Sequence, residues 1–453
     1  MRLSFFGLGY VGIVYSVGFA SKGFRVVGFD VDEERARLLS SGFCPIYEPH
    51  VEKLLRGSLA EGQLRVTADP EEAVSASDVS FITVGTPSRA DGSIDLRHVI
   101  SASEMVGRAL RRKDGWHLVA VKSTVIPGTT GGAVRKAVEA ASGRSAPRDF
   151  GLAVNPEFLR EGNAVADFLK PDRIIIGACD SRSRQMLESL YSSFNCPKIV
   201  TGLSTAELIK YVNNAFLAMK VSFINMIAGL CQRVPGIDVE TVAEAIGQDS
   251  RIGSSFLKAG AGWGGSCWRK DLEALKDFAE RRGVSLPLVE STLEVNEAQP
   301  YVMVELARRL LGELNRRRVA VLGLSFKPNT DDMRDAVSVK IVGRLIDEGA
   351  QVVVYDPAAV KNARQVFGKK VEYASSALDC LKAAECALIV TEWDEFKRLA
   401  SADFIREMKS PAVVDGRRIY DASAFRKGLK FEAVGLCPSD CSNDASGVTA
   451  DDD

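Results

Sequence analysis

Histidine is nearly missing from this sequence, with three in 453 residues. His50, His98 and His117 stand in no motif, so neither a histidine general base nor a histidine-rich metal site explains the chain. Paired cysteine spacing is lacking too. Nine cysteines are scattered, and the nearest neighbours, Cys437 and Cys441 in CPSDC, have no second pair to complete a zinc site. A surface pair, reduced or disulfide-bonded, is the expectation there. No Tyr-x-x-x-Lys occurs, which removes the usual base of short-chain dehydrogenases. Charge of either sign is not in excess: the net is −1, so the molecule has no positive field for nucleic acid, and an anionic ligand needs local basic residues. No uncharged apolar run reaches the length of a membrane span. The opening MRLSFFGLGYVGIVYSVGFA carries four glycines and fits a strand, turn and helix better than a signal peptide. The expectation is a cytoplasmic protein without a membrane or nucleic-acid partner.

What the chain does have is alternation. The runs RLSFFGLG, RVVGFDV, DVSFITVGTP, HLVAVKST, DFGLAVNPE and RIIIGA are separated by helical patterns, which predicts a parallel, doubly wound sheet. From residue 204 the texture turns helical, beginning with STAELIKYVNNAFLAMKVSFINMIAGLCQRV, and stays so to residue 313. Strands then return as RRVAVLGLSF, QVVVYDP, CALIVTE and PAVVDG. The fold class is therefore α/β. We expect a dinucleotide-binding Rossmann domain over 1–203, a central helical region with one long helix over 204–313, and a second Rossmann-like domain over 314–440. The small and acidic residues 441–453 are expected to form a disordered tail.

The hexad GLGYVG, from Gly7 to Gly12, follows the first strand and opens a helix. That spacing lets the backbone turn tightly, approach a pyrophosphate and pack helix on strand, with the helix N-terminus toward the phosphates. Asp30 ends the next strand, where a carboxylate accepts from an adenosine ribose and repels a 2′-phosphate. This favours NAD over NADP; Arg35 nearby argues the other way. The second block, GLSFKPNTDDMRD, lacks the third glycine of the fingerprint. Lys327, Arg334 and the pair Arg417 and Arg418 fall at or just after its strand ends, where basic groups suit phosphate.

A cofactor that takes hydride needs partners for the alcohol. In AGWGGSCWRKD, residues 261–271, glycines bring the backbone close to a ligand and leave Cys267 accessible beside cations, as a nucleophile that traps an aldehyde requires. Lys210 and Asn214 are one helical turn apart, so ammonium and amide share a face and can donate to an oxyanion. Ser123 and Thr124 after a strand, and Glu157 and Glu161 in NPEFLREG, complete the candidates.

Together, GLGYVG, KSTVIPGT, NPEFLREG, ELIKYVNNAFLA, GWGGSCWRKD, GLSFKPNTDDMRD and VDGRR resemble the nucleotide-sugar 6-dehydrogenases of the UDP-glucose/GDP-mannose dehydrogenase family, over residues 7 to 418. The resemblance implies a four-electron oxidation at C6 of a nucleotide sugar, in which two NAD⁺ in turn accept hydride and a primary alcohol becomes a carboxylate. By motif match, Cys267 would carry a thiohemiacetal and then a thioester, and Lys210 and Asn214 would stabilise the oxyanion. Asp271 and Thr124 would hold a proton-relaying water, and Glu157 would help activate the hydrolytic water. The cofactor contacts so implied are Gly7, Gly9, Tyr10, Val11, Gly12, Asp30, Arg35, Thr86, Ser123, Thr124, Glu161, Lys270 and Arg334. Those for the nucleotide sugar are Glu157, Phe158, Leu159, Lys210, Asn214, Phe256, Lys258, Gly264, Phe326, Lys327 and Arg417, with Arg251 reaching over from a neighbouring subunit. A long central helix is the family's dimer interface, which implies a homodimer, or a higher oligomer, through 204–232. NPEFLREG resembles the branches that act on UDP-glucose and GDP-mannose, and the DFLKPDRIIIG that follows looks more like the UDP-glucose branch. GDP-mannose and another UDP-hexose are the alternatives, and a non-catalytic nucleotide-sugar sensor is the reading of a different class. One departure stands out: Arg269 occupies a position where many members have proline.

Overall fold

A computed structural model describes residues 1–437; Cys441 and the tail expected over 441–453 lie outside them. The chain divides into two compact units, Met1–Asn213 with Glu273–Val284, and Asn214–Leu272 with Ser285 onward. That division differs from the three stretches suggested by texture.

In the first unit, strands β1 (Arg2–Phe6), β2 (Arg25–Phe29), β3 (Leu64–Thr67), β4 (Val79–Ile82), β5 (His117–Val121), β6 (Phe150–Val154), β7 (Ile174–Ala178) and β8 (Lys198–Thr201) form one sheet in the order β3-β2-β1-β4-β5-β6-β7-β8. β4, β5 and β6 are buried at every position, the signature of strands covered by helices on both faces. One face packs Phe5, Phe19 and Phe81, with Phe5 and Phe81 stacked at 5.0 Å; the other packs Phe6, Val119 and Phe150. Every pairing is parallel except β6 with β7. The wholly parallel sheet expected from alternation is thus corrected at that step.

In the second unit, β9 (Arg318–Leu322), β10 (Gln351–Tyr355), β11 (Glu372–Tyr373), β12 (Cys386–Ile389), β13 (Ala412–Asp415) and β14 (Lys430–Ala433) form an all-parallel sheet in the order β11-β10-β9-β12-β13-β14. This is the order of the first six strands of the other sheet and of the dinucleotide-binding fold. Two Rossmann-like sheets are therefore joined by the long helix Leu203–Cys231.

By length and composition that helix could cross a membrane, although no uncharged run within it is that long. Its charged residues Glu207, Lys210 and Lys220 break up the apolar stretch when it is read linearly, yet they leave apolar segments around them. Ala206, Tyr211, Ala218, Ile224 and Ala228 are fully buried, so one side of it is core. Leu208, Val212, Phe216, Phe223, Met226 and Leu230 are exposed, and their spacings of four, four, seven, three and four put them on one face. Cys437, expected at the surface, is 7% exposed.

Candidate active site

β1 stops at Phe6, and the helix Tyr10–Ser21 begins directly after Gly9. A Cβ at Gly12 would lie 1.9 Å from the carbonyl oxygen of Gly7, so helix and turn pack with no room for a side chain. A Cβ at Gly9 would meet nothing within 4 Å. The open cradle at a helix N-terminus fits a pyrophosphate. Asp30, 4% exposed, accepts from the Leu8 amide at 2.7 Å on one oxygen and from the Asp32 amide at 3.0 Å on the other. Arg35 leans on the same carboxylate at 3.4 Å and toward Asp32 at 3.8 Å, so acidic neighbours already meet the charge that a 2′-phosphate would need. At the ends of β4 and β5, Thr86 donates to the Thr124 carbonyl at 2.9 Å and Ser123 to the Val84 carbonyl at 2.6 Å. Three of the residues singled out in sequence thereby come together.

The segment after β6 carries Glu157. Because β7 and β8 run back against β6, the helix that follows β8 starts beside this segment: Val154, Ile175 and Ala206 pack together with Phe158, Leu203 and Ile209. One turn further on, Lys210 Nζ lies 3.0 Å from Glu157 Oε1, with side chains 6% and 10% exposed. The other Glu157 oxygen accepts from the Leu159 amide at 2.7 Å. Removing either partner of such a buried pair leaves an uncompensated charge, at a cost of about 3–5 kcal/mol.

Supporting polar residues surround this pair that the sequence reading missed. Lys122, fully buried, donates to the backbone oxygen of Asn155 at 3.0 Å and to its Oδ1 at 2.8 Å, and lies 3.8 Å from the centre of the Tyr15 ring. Burial pushes the Lys122 ammonium down to about 7. Tyr191 donates to the same Oδ1 at 2.5 Å. Glu207 accepts from the amides of Gly128 at 2.6 Å and Thr130 at 2.8 Å, tying the loop after Thr124 to the long helix; burial pushes its carboxyl up. A charged residue in an otherwise apolar stretch was the available signal for Lys122 and Glu207, and their partners lie too far along the chain to be paired by spacing.

In the second unit, Cys267 directly precedes the helix Trp268–Glu280, and its carbonyl accepts from the Asp271 amide at 2.9 Å, as an N-cap residue does. Its side chain is exposed, at a helix end that favours negative charge. Asp271, 1% exposed, accepts from Asn214 at 2.7 Å and from Lys270 at 2.5 Å. Asn214, Lys270, Asp271 and Cys267 thus form one group. The glycines before the thiol have a steric reason: Gly265 has φ +94°, and a Cβ there would meet the Phe326 ring at 2.8 Å, while one at Gly264 would meet the Asp335 carbonyl at 2.4 Å. Trp263 donates to Ser222 at 3.0 Å, and Trp268 stands 5.6 Å from Trp263 and 5.9 Å from Phe256. Arg269 contacts Glu297 and lies 3.8 Å from Asp335.

The remaining basic candidates separate. Arg417 donates to Gly262 at 3.0 Å and to Val390 at 2.5 Å, so it touches the glycine run itself. Arg418 does not join it: its buried guanidinium donates to Asp238 at 2.8 Å, Glu240 at 2.9 Å and the Val434 carbonyl at 3.1 Å. That half of the pair expected at a phosphate is an internal cross-link. Lys327 stands 5.4 Å from the Phe326 ring. Lys258, Arg251 and Arg334 are exposed, the last two against Asp249 and Asp332. Asp356, at the position corresponding to Asp30, is saturated. It accepts from Leu324, Ser325 and Trp393 on one oxygen, and from Ala358 and Ala359 on the other, at 2.8 to 3.1 Å.

Residues 1–195 match the NAD binding domain of the UDP-glucose/GDP-mannose dehydrogenase family, residues 204–298 its central domain and residues 320–422 its UDP binding domain. A UDP-glucose 6-dehydrogenase of Haloferax volcanii is 44% identical over 439 residues, covering 96% of this chain and 100% of that one. One of Bacillus subtilis is 39% identical over 436 residues, covering 96% and 93%. A solved UDP-glucose dehydrogenase from Pyrobaculum islandicum superposes with a TM-score of 0.90 at 44% identity, over 96% and 98% of the two chains. With its glycine cradle and buried Asp30, this chain belongs to the UDP-glucose/GDP-mannose dehydrogenase family and is an NAD-dependent oxidoreductase.

Proposed function

We propose that this chain oxidises the C6 alcohol of UDP-glucose to the carboxylate of UDP-glucuronate, through covalent intermediates on Cys267. The observation that carries the reading is the group in the second unit, an accessible thiol capping a helix whose first turn holds Asp271 bound to Asn214 and Lys270. The UDP binding domain match and the names of the relatives support the substrate. NAD⁺, bound on Gly7, Gly9, Tyr10, Val11, Gly12, Asp30, Arg35, Thr86, Ser123, Thr124, Glu161, Lys270 and Arg334, supplies the acceptor for two hydrides, one per molecule.

The residues of the chain do the rest. The C6 hydroxyl loses its proton to a water held by Thr124 and Asp271 as the first hydride departs, leaving an aldehyde. Cys267 sulfur adds to C6 as the thiol proton passes to the aldehyde oxygen, and Lys210 and Asn214 donate to the oxygen of the resulting thiohemiacetal. Loss of the second hydride, with the hydroxyl proton passing to the same water, leaves a thioester. Water activated by Glu157 adds to it, the C–S bond breaks, and the thiol regains its proton as the carboxylate leaves. Phe158, Leu159, Phe256, Lys258, Gly264, Phe326, Lys327 and Arg417 hold the nucleotide sugar, with Arg251 supplied by a second copy. The active species is a cytoplasmic homodimer, and the exposed stripe on the long helix supports that pairing.

The test counts electrons. With UDP-glucose and NAD⁺ the protein is expected to make two NADH per sugar, and Cys267→Ser to stall at the aldehyde or ester stage, seen by mass spectrometry. One NADH per sugar would overturn the four-electron reading. Undiminished uronate from Cys267→Ser would remove the thiol.

A further inference from the structure

Glu48 lies in the loop between the helices Glu33–Ser40 and Val51–Ala60, which connect the second and third strands, and is 8% exposed. A buried carboxylate is costly unless its lone pairs are met, and here they are met by other segments. One oxygen accepts from the Tyr10 hydroxyl and from the Gly162 amide at 2.5 Å, the other from the Ala164 amide at 2.8 Å. The Gly162 amide also lies 3.2 Å from the Tyr10 oxygen. Burial, then the bond to Glu48, raises the Tyr10 phenol above its usual range, so it stays a donor.

These partners are not arbitrary. Tyr10 is the first residue of the helix that opens at the glycine turn. Gly162 and Ala164 end the segment whose other end carries Glu157. That segment is stiff between the two: Glu157 bonds the Leu159 amide, and Arg160 is held to Asp167 by bonds of 2.5 to 3.0 Å. A shift of Tyr10 when the helix N-terminus takes up a pyrophosphate is therefore passed through one carboxylate to the peptide chain that presents Glu157 and Phe158. Nothing in the catalytic roles assigned above uses Glu48.

We propose that Glu48 is a positioning residue that couples dinucleotide binding at the glycine turn to the nucleotide-sugar segment 157–164. The inference rests on the functional reading above, which places NAD at the turn and the sugar against Phe158 and Glu157. Coupling of this kind is reciprocal and appears as a change in the affinity for one ligand when the other is present.

The full-length protein is titrated with NADH, which cannot support turnover, with and without saturating UDP-glucose. The ratio of the two dissociation constants is the measurement, so any direct effect of Tyr10 on the cofactor cancels. We expect a ratio differing from one by about fivefold or more in the parent. In Glu48→Gln and in Tyr10→Phe it should fall to within about twofold of one, and the double variant should lose no more than either single change. Tyr10→Phe removes one oxygen atom and carries the test alone if Glu48→Gln does not fold. Variants that keep the parental ratio, even with a lowered melting temperature, would show that Glu48 only supports the fold. A parent that makes NADH from UDP-glucose and NAD⁺ but shows a ratio near one overturns the coupling alone. A parent that makes none overturns both readings.

Discussion

His117 opens β5 with an imidazole that is fully buried and bonded at both nitrogens, to Ser80 at 2.8 Å and to Lys113 at 2.9 Å. Ser80 continues to Ser4 at 2.7 Å and Ser4 to Ser77 at 2.9 Å. Burial and the neighbouring Lys113 ammonium hold His117 well below its ordinary value, and burial holds Lys113 down to about 8. The unfolded chain takes up a proton at this histidine below pH ~6.5 and the folded chain does not. Stability present above that pH is therefore lost as the pH falls. His117→Gln, which cannot titrate, should cost about 1 kcal/mol at pH 8. It should also flatten the decline below pH ~6.5 in urea denaturation. A decline as steep as the parent's would assign the effect elsewhere. Such a histidine reads as non-catalytic in the sequence because it begins a strand outside any motif. What the sequence hides is the serine chain, whose members are up to 76 residues apart. The same limit governs Glu48 and Lys122, whereas the fingerprint and the segment around Cys267 are legible because their motif residues lie within a dozen positions, even though Asp271 takes its partner Asn214 from 57 residues away.

Elements show the same boundary between local and distant information. The first and second strands, the glycine turn and the long helix follow from periodicity and turn chemistry. β3, β8, β11 and β14 pass unnoticed because each is short and carries a charged residue that is partly or fully exposed, whereas the equally short β4, β12 and β13 are buried at every position. The direction of β7 cannot be read at all, since the pleat looks the same both ways along a strand. The long helix is the most informative single element. Six large apolar side chains are presented to solvent on one of its faces, Phe216 and Met226 among the most exposed at 56% and 53%. The homodimer proposed above would cover this patch. Phe216→Glu with Met226→Glu should turn a particle of two chains into one, as measured by light scattering after gel filtration. A particle that keeps its mass would exclude this face from the interface.

Across the whole chain, two sheets share one strand order but differ at the carboxylate that follows the second strand. Asp30 keeps its place beside an open cradle, while every side of Asp356 is taken by the protein's own donors. Titration with NADH should thus give one site per chain. Asp356→Asn should leave that affinity unchanged while lowering stability by about 1–3 kcal/mol. A second NADH per chain would overturn this reading of Asp356. The reversal at β7 has a consequence of its own. Up to Val154 the first sheet is a plain six-stranded socket, the same as the other. Glu157, Lys210, Asn214, Cys267 and Asp271 all come later in the chain, and only Thr124 lies inside it. Most of the proposed grip on the dinucleotide is thus written ahead of the proposed chemistry, and Glu161, Lys270 and Arg334 are the cofactor contacts that fall in the later tract.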